Sequence, residues 1–154
     1  MDFGIVSRVL SLLIIVEAVS MTPSLAVSVY YGEGDATAFL ISITITLLLG
    51  LVGYALSSKG GFVRYREGFM IVGVGWLLVS ILGALPFMLY GTFDSFVDAF
   101  FEAASGFSTT GATVLQDIES QPHGILFWRA MTHWLGGMGI LVLVLAILPA
   151  IGVG

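Results

Sequence analysis

Residues 100–114 read FFEAASGFSTTGATV and separate two long apolar segments. They are too few to cross a bilayer, which takes about 20 residues of helix, and too rich in Gly, Ser and Thr for a uniform helix interior. In lipid, non-helical backbone occurs only where protein buries it or where it lines a water-filled path. A short helix followed by an extended segment is what a re-entrant pore loop requires. The stretch therefore predicts a loop whose carbonyls face a cation, with a surface loop or a simple break between helices as the alternative.

The composition places the chain in a membrane. Of its 154 residues, 58% are hydrophobic and 10% are charged, whereas a soluble domain carries about 25% charged residues. So few charges cannot cover a water-facing surface, and membrane lipid is the expected surrounding. The chain has no cysteine, which excludes disulfide and thiol chemistry. Its five basic residues are too few to follow nucleic-acid phosphates, so no nucleic acid is expected as a partner.

Four apolar segments are long enough to span a bilayer. They cover residues 5–31, 36–56, 68–89 and 125–148. Pro23 is expected to kink the first segment. An amphipathic stretch at 95–106 precedes the Gly/Thr segment at 108–113, which predicts a pore helix before a filter. The expected fold class is an all-α membrane protein, with two leading transmembrane helices in residues 1–67 and one helix–pore loop–helix repeat in residues 68–154.

The charges are sorted between the two ends of these segments. Basic residues lie near the N-terminus and in the second loop, at Arg8, Lys59, Arg64 and Arg66. Because cytoplasmic loops carry an excess of Lys and Arg, the N-terminus is predicted to be cytoplasmic in a multi-pass protein of the plasma or inner membrane. The acidic loop 32–35 and Asp94, Asp117 and Glu119 then lie outside. These carboxylates either raise the cation concentration at a pore mouth or are ordinary solvated surface.

Gly111 and the neighbouring threonines suit a backbone that coordinates an ion. Several inward-pointing carbonyls can replace the hydration shell of a potassium ion. Gly111 permits a positive φ at no steric cost, whereas Thr109, Thr110 and Thr113 are β-branched and favour an extended backbone. The carbonyl end of the preceding helix carries a partial negative charge that favours a cation.

Arg129 is a charged residue within or near the membrane, where such residues are usually paired or functional. One interpretation is an arginine that extends to the outer headgroups beside Trp128. The other is a charge pair with Glu102, Asp117 or Glu119, of which Arg129–Glu102 would be an intramembrane pair.

Other residues of the apolar segments carry weaker signals. The depth of Glu17 in the first segment argues for a partner that the sequence does not identify. His133 is expected to be a packed, hydrogen-bonded histidine. Three glycines are expected to permit close packing of a helix or the pore loop: Gly136, Gly137 and Gly139. The three tryptophans, Trp76, Trp128 and Trp134, are expected to include interface anchors.

Two other classes of protein remain open from the residues alone. Ser105 in a membrane-embedded loop and His133 on the next helix are the parts of a serine–histidine pair, as in an intramembrane serine hydrolase. Ala103 stands where a Gly-x-Ser-Gly pattern would need its first glycine. The composition also allows a non-conducting membrane scaffold.

The sequence resembles the first pore loop of the Trk/Ktr/HKT potassium transporters, and the Trk-type membrane subunit most closely. The resemblance rests on FEAASGFSTTGAT at 101–113, GILFWR at 124–129, WLGGMGI at 134–140 and LAILP at 145–149. The stretch YYGEGD at 30–35 looks like the first outer loop of that family.

The resemblance implies potassium uptake through a filter with a single glycine, placed at Gly111. Potassium would be held by carbonyls of Thr109, Thr110, Gly111 and Ala112, with Ser108 and Thr113 as filter support. It implies a transported K+ and no bound cofactor, and it does not imply an enzyme. It further implies a homodimer and a cytosolic nucleotide-binding regulatory subunit.

The number of repeats departs from the family. Members of the family carry four helix–pore loop–helix repeats, whereas this sequence contains one. The expectation is a fragment of a four-repeat transporter, with the remaining three repeats as its partners. An assembly of four copies is the alternative. Passive conduction and ion-coupled transport both remain open.

Overall fold

The computed structural model describes residues 3–57 and 64–147, and within them it contains helices and no strand. The helices are α1 (Phe3–Ser20), α2 (Thr22–Tyr31), α3 (Ala36–Leu56), α4 (Tyr65–Gly83), α5 (Leu85–Tyr90), α6 (Phe96–Phe107) and α7 (His123–Ile147). The predicted all-α class is confirmed. The part of the second loop that holds Lys59, and the end of the LAILP stretch, lie outside the described residues.

Within the described residues, three helical segments are long and apolar enough to cross a membrane. They are Phe3–Tyr31, Ala36–Leu56 and Arg66–Tyr90. The third begins before the predicted residue 68, since α4 starts at Tyr65. Helix α7 has 25 residues, which at 1.5 Å per residue is about 37 Å and exceeds a hydrocarbon core of about 30 Å.

Prolines divide two of these segments into paired helices. Pro23 lies in the first turn of α2 and Pro86 in the first turn of α5. Proline has no N–H and is tolerated in a first helical turn, where that N–H would lack a partner. One helix therefore ends and the next begins at Met21, and the same happens at Ala84. The predicted interruption of the first segment is confirmed.

The core forms where α7 crosses the junction of α4 and α5. Trp128 is completely buried, and its indole Nε1 donates a hydrogen bond to the Gly83 carbonyl oxygen at 2.9 Å. That carbonyl belongs to the last residue of α4. Trp128 therefore fixes α7 to the end of α4 and is not among the tryptophans that could anchor the protein at a membrane interface. Trp134, in contrast, is 58% exposed.

Glycines allow α6 to lie directly against α7. A methyl group on Gly136 would stand 2.7 Å from the carbonyl carbon of Phe107, and one on Gly106 would stand 2.8 Å from Cβ of Thr132. Both distances are too short for real side-chain carbons. The predicted close approach of the pore loop to Gly136 is confirmed, and it places the end of α6 at a fixed position on α7.

Candidate ion-conduction site

Helix α6 ends in the interior of the molecule. Its 12 residues extend about 18 Å, which is too short to cross a bilayer. The side chain of Ser95 accepts a hydrogen bond from the Val97 N–H at 3.1 Å and caps the start of the helix. One face of the helix is buried against α4 and α7, and it includes Ala99, Glu102 and Ala103. The helix corresponds to the stretch 95–106 that the sequence assigned to a pore helix.

The end of α6 is closed by two backbone hydrogen bonds. Thr109 N–H donates to the Gly106 carbonyl at 2.9 Å, and Thr110 N–H donates to the Ser105 carbonyl at 3.0 Å. This pair of bonds is a Schellman motif, whose left-handed position is usually a glycine. Here it is Thr109, with φ +57°. The expectation that Thr109 is extended is wrong, because the helix closure requires the left-handed conformation.

Gly111 also has a positive φ, of +75°. The described residues leave the space around it open, since a methyl group there would meet nothing within 4 Å. Residues 108–114 are all exposed in this chain. The hydroxyls of Ser108 and Thr110 lie 2.8 Å apart and bond to each other. Within residues 3–57 and 64–147, no hydrogen bond reaches the carbonyls of residues 109–111.

Ala112 differs from the other proposed ligands. Its carbonyl oxygen accepts a hydrogen bond from Ser105 Oγ at 2.6 Å. This bond holds the carbonyl of Ala112 toward α6. Within the described residues, the carbonyls of the three preceding residues accept no such bond.

The segment of the loop after Gly111, residues 112–115, is called the return strand here although it forms no β-ladder, and it is bound to α6 through Glu102. The Thr113 hydroxyl lies 2.9 Å from both carboxylate oxygens of Glu102, to which it donates. The Val114 N–H donates to Oε2 of the same carboxylate at 3.2 Å. Glu102 is only 2% exposed. A buried carboxylate with several donors holds the backbone that carries them in one position.

Arg129 of α7 completes this network. Its Nε donates to Glu102 Oε1 at 2.6 Å. Of the other two candidate partners, Asp117 accepts from the Ser120 N–H, and Glu119 is exposed. The structure thus brings together Glu102, Thr113 and Arg129 from α6, the loop and α7.

Ser105 and His133 do not form a nucleophile–base pair. The Ser105 hydroxyl donates to Ala112, and His133 Nδ1 lies 2.8 Å from the Arg129 carbonyl oxygen, with which it bonds one turn earlier in α7. A nucleophile and its base must lie within hydrogen-bond reach of each other. The prediction that His133 is a packed, hydrogen-bonded residue is confirmed.

Glu17 is buried at the junction of α1, α4 and α6. A methyl group on Gly83 would stand 3.1 Å from Glu17 Oε1 and 2.7 Å from the Phe107 ring. In the part of the chain that the structure describes, neither carboxylate oxygen of Glu17 has a hydrogen-bond partner. The expected partner of Glu17 is therefore not found there.

Sequence reasoning missed a contact between the loop 32–35 and α7. Glu33 Oε2 accepts a hydrogen bond from the His123 N–H at 2.6 Å, and His123 Nδ1 lies 2.9 Å from Glu33 Oε1. The backbone N–H of His123, and then its ring, lower the pKa of Glu33 below its ordinary value. Asp35 is completely buried and accepts from the Ser28 hydroxyl. The signal available in the sequence was Pro122, which marks the start of a helix whose first N–H groups need acceptors.

A short helix that ends inside the molecule, a loop with unbound carbonyls and flanking membrane spans define a membrane protein with a re-entrant pore loop. Comparison with known proteins gives the family. The family model described as TrkH, cation transport protein, matches residues 35–154, and the chain belongs to this family. The predicted resemblance to Trk-type transporters is confirmed.

Individual relatives agree with this assignment. The chain is 40% identical to the Trk system potassium uptake protein TrkH of Escherichia coli K12, over all of this chain and 32% of that protein. It is 34% identical to TrkG of the same strain, over 97% of this chain and 31% of that protein. The crystal structure of the potassium transporter TrkH from Vibrio parahaemolyticus matches with a TM-score of 0.92 and 35% identity, over all of this chain and 33% of that one. These relatives are transport proteins and not enzymes.

The chain spans about a third of the length of the relatives it matches. The shared third contains the whole of α1 to α7. The features described above therefore belong to a portion that these transporters have in common.

Proposed function

We propose that this chain supplies one part of the ion pathway of a potassium uptake protein, with a filter in which Gly111 is the single glycine. The observation that supports this most directly is the exposed loop at the end of α6, where the carbonyls of residues 109–111 have no hydrogen-bond donor among the described residues. Unbound carbonyls beside a water-filled path can replace the hydration shell of K+.

The ligands we assign are the carbonyls of Thr109, Thr110 and Gly111. Ala112 belongs to the filter as the position where the return strand accepts a hydrogen bond from the Ser105 hydroxyl. Ser108 and Thr113 support the loop, the first through Thr110 and the second through Glu102. The carbonyl end of α6 adds a partial negative charge next to the ion.

The intramembrane pair Arg129–Glu102 holds the filter in place. Glu102 binds Thr113 and Val114 of the return strand, and Arg129 binds Glu102 from α7. A buried carboxylate without its cation would carry a large desolvation penalty. The pair therefore holds the loop in one register.

One loop provides a quarter of a four-sided filter, so the complete site requires three more repeats. The length of the relatives supports a chain that continues into those repeats. In this proposal residues 1–67 are the two leading transmembrane helices and residues 68–154 are the first repeat. A homodimer and a cytosolic nucleotide-binding regulatory subunit follow from the family resemblance.

The proposed orientation places the N-terminus in the cytoplasm of a cell that carries the protein in its plasma or inner membrane. Arg8 Nη2 donates to the Tyr54 hydroxyl at 2.5 Å, so the start of α1 and the end of α3 lie at the same end of the molecule. Arg64 and Arg66 follow that end in the chain. Three of the four arginines, Arg8, Arg64 and Arg66, thus belong to one end, as the positive-inside rule requires, whereas Arg129 pairs with Glu102.

The test is Gly111→Ser in the full-length protein that contains this segment. A side chain at φ +75° costs roughly 1–2 kcal/mol of backbone strain, and the shifted carbonyls should discriminate poorly between ions. We expect a lower ratio of K+ to Na+ uptake at matched expression, and a smaller change for Thr110→Ala, which keeps the carbonyl. An unchanged ratio in Gly111→Ser would remove this glycine from the filter.

A further inference from the structure

The loop between α2 and α3 binds the first turn of α7. Glu33 accepts the His123 N–H at 2.6 Å through one oxygen, and its other oxygen lies 2.9 Å from His123 Nδ1. The imidazole ring also stacks on Tyr31, with 3.9 Å between ring centroids and 3° between planes. One carboxylate therefore holds both the backbone and the side chain of the residue that begins α7.

A second carboxylate lies beside the same turn. Asp35 is completely buried, and a methyl group on Gly124 would collide with its Oδ2. The other oxygen of Asp35 accepts from the Ser28 hydroxyl of α2. Negative charges stabilise the amino-terminal end of a helix, where unpaired N–H groups carry partial positive charge. The loop 32–35 thus bonds the start of α7 through Glu33 and packs against it through Asp35, whose Oδ2 accepts no hydrogen bond within the described residues.

The first two turns of α7 also carry a contact to the filter. Arg129 lies six positions after His123, about 9 Å further along the helix axis. Arg129 Nε bonds to Glu102 at 2.6 Å, and Glu102 binds the return strand through Thr113 and Val114. Two sets of contacts, at His123 and at Arg129, are therefore linked by the backbone of α7 and connect Glu33 to the residues that follow Gly111.

We propose that Glu33 is a positioning residue for the filter, which acts through His123, Arg129 and Glu102. This inference rests on the function proposed above. Within the described residues, Glu33 forms hydrogen bonds with His123 and none with the filter loop 108–114. It determines where the amino-terminal end of α7 lies, and hence where Arg129 holds the carboxylate that fixes the return strand.

The first test replaces Glu33 in the full-length protein in lipid vesicles. Glu33→Ala should lower the ratio of K+ to Na+ uptake roughly three- to tenfold, in the range found for residues that couple distant sites. Glu33→Gln should lower it less, because the amide oxygen still accepts from the His123 N–H. Glu119→Ala is the matched control: it removes an exposed carboxylate from the loop that leads into α7, and that carboxylate forms no hydrogen bond or ion pair within the described residues.

The second readout is the pH profile, which a merely structural role would not move. His123 lowers the pKa of Glu33, so the carboxylate contact is present above the ordinary pKa of glutamate, about 4.3. It is lost as the pH falls through the lowered value. The other titratable groups around the contact are His123 itself and Asp35, with Asp117 and Glu119 in the preceding loop. The difference between wild type and Glu33→Gln, measured from pH 7 to pH 3.5, isolates the contribution of Glu33.

The outcomes separate the two proposals. A lower ratio in Glu33→Ala than in Glu119→Ala, with a pH-dependent difference between wild type and Glu33→Gln, supports the positioning role. If Gly111→Ser changes the ratio but Glu33→Ala behaves as Glu119→Ala does, this inference is overturned and the filter stands. If neither Gly111→Ser nor Glu33→Ala changes the ratio, the filter assignment itself fails.

Discussion

Thr109 has a left-handed backbone, and it is the one non-glycine residue with a positive φ in the described part of the chain. A β-branched residue in this region is a genuine outlier, and strained residues are often retained where function requires a fixed conformation. Two hydrogen bonds to α6 hold it there, and its methyl carbon lies 3.8 Å from where a side chain on Gly137 would begin. The strain is therefore maintained by the packing of α6 on α7.

Thr109→Gly should relieve this strain. Glycine is the usual residue at the left-handed position of a Schellman motif, and the cost removed is roughly 1–2 kcal/mol. The added freedom of the unfolded chain offsets part of that gain. We expect an unchanged or raised midpoint of thermal unfolding in detergent. The control is Thr110→Gly, whose site has no positive φ and which should lower the midpoint. Equal losses in the two variants would show that Thr109 is not strained.

The sequence predicted the requirement for glycine at position 111 but not the conformation of Thr109. β-Branching favours extended backbone when only the residue itself is considered. The left-handed turn depends on where α6 stops, and that is decided by Gly136 and Phe107, which meet across two helices. A contact between residues so far apart in the chain leaves no local pattern.

At the scale of elements, α6, the return strand and α7 form one unit around Glu102. The sequence suggested three partners for Arg129, and packing selects Glu102 because it lies on the buried face of α6. The amphipathic pattern of residues 95–106 could predict that face. It could not predict that the return strand would place Thr113 and Val114 on the same carboxylate.

Arg129→Leu should be strongly destabilising. Removing one member of a buried pair leaves an uncompensated charge and costs about 3–5 kcal/mol. Adding Glu102→Gln to Arg129→Leu removes that charge and should restore part of the loss. The measurement is the unfolding midpoint of the two single variants and the double variant, read as a double-mutant cycle. Strictly additive effects would mean that the two side chains do not interact.

Gly136→Ala tests the contact between α6 and α7. The new methyl group would meet the Phe107 carbonyl, which is backbone and cannot turn aside. We expect a lower unfolding midpoint and a lower K+ to Na+ uptake ratio, because the end of α6 must move away from α7. Gly139→Ala is the matched control in the same helix, since its nearest neighbour is Trp76 at 3.9 Å. In a helix interior that change favours folding by about 0.5–1 kcal/mol. If both alanine variants behave alike, close packing at Gly136 has no role in the filter.

At the scale of the whole molecule, apolar length and charge placement predicted the helical class and the approximate spans. Those features are local and strong, because the bilayer imposes them on every spanning segment. The exact helix ends and the contact between Glu33 and His123 were not predicted. They depend on how α2 and the loop after it pack against α7, and the sequence had placed residues 32–35 in an outer loop, at a pore mouth or on ordinary surface, with no partner named.

The orientation in the membrane can be tested by labelling single cysteines, because these 154 residues contain no cysteine of their own. Ser57 follows α3 at the end that carries Tyr54 and Arg8, whereas Glu119 lies in the exposed loop before α7. The positive-inside rule places the first end in the cytoplasm. In the full-length protein with other cysteines removed, an impermeant thiol reagent added to intact cells should therefore label Glu119→Cys. It should label Ser57→Cys only after the membrane is opened. The opposite pattern would invert the topology and place the loop 108–114 on a path that opens to the cytoplasm.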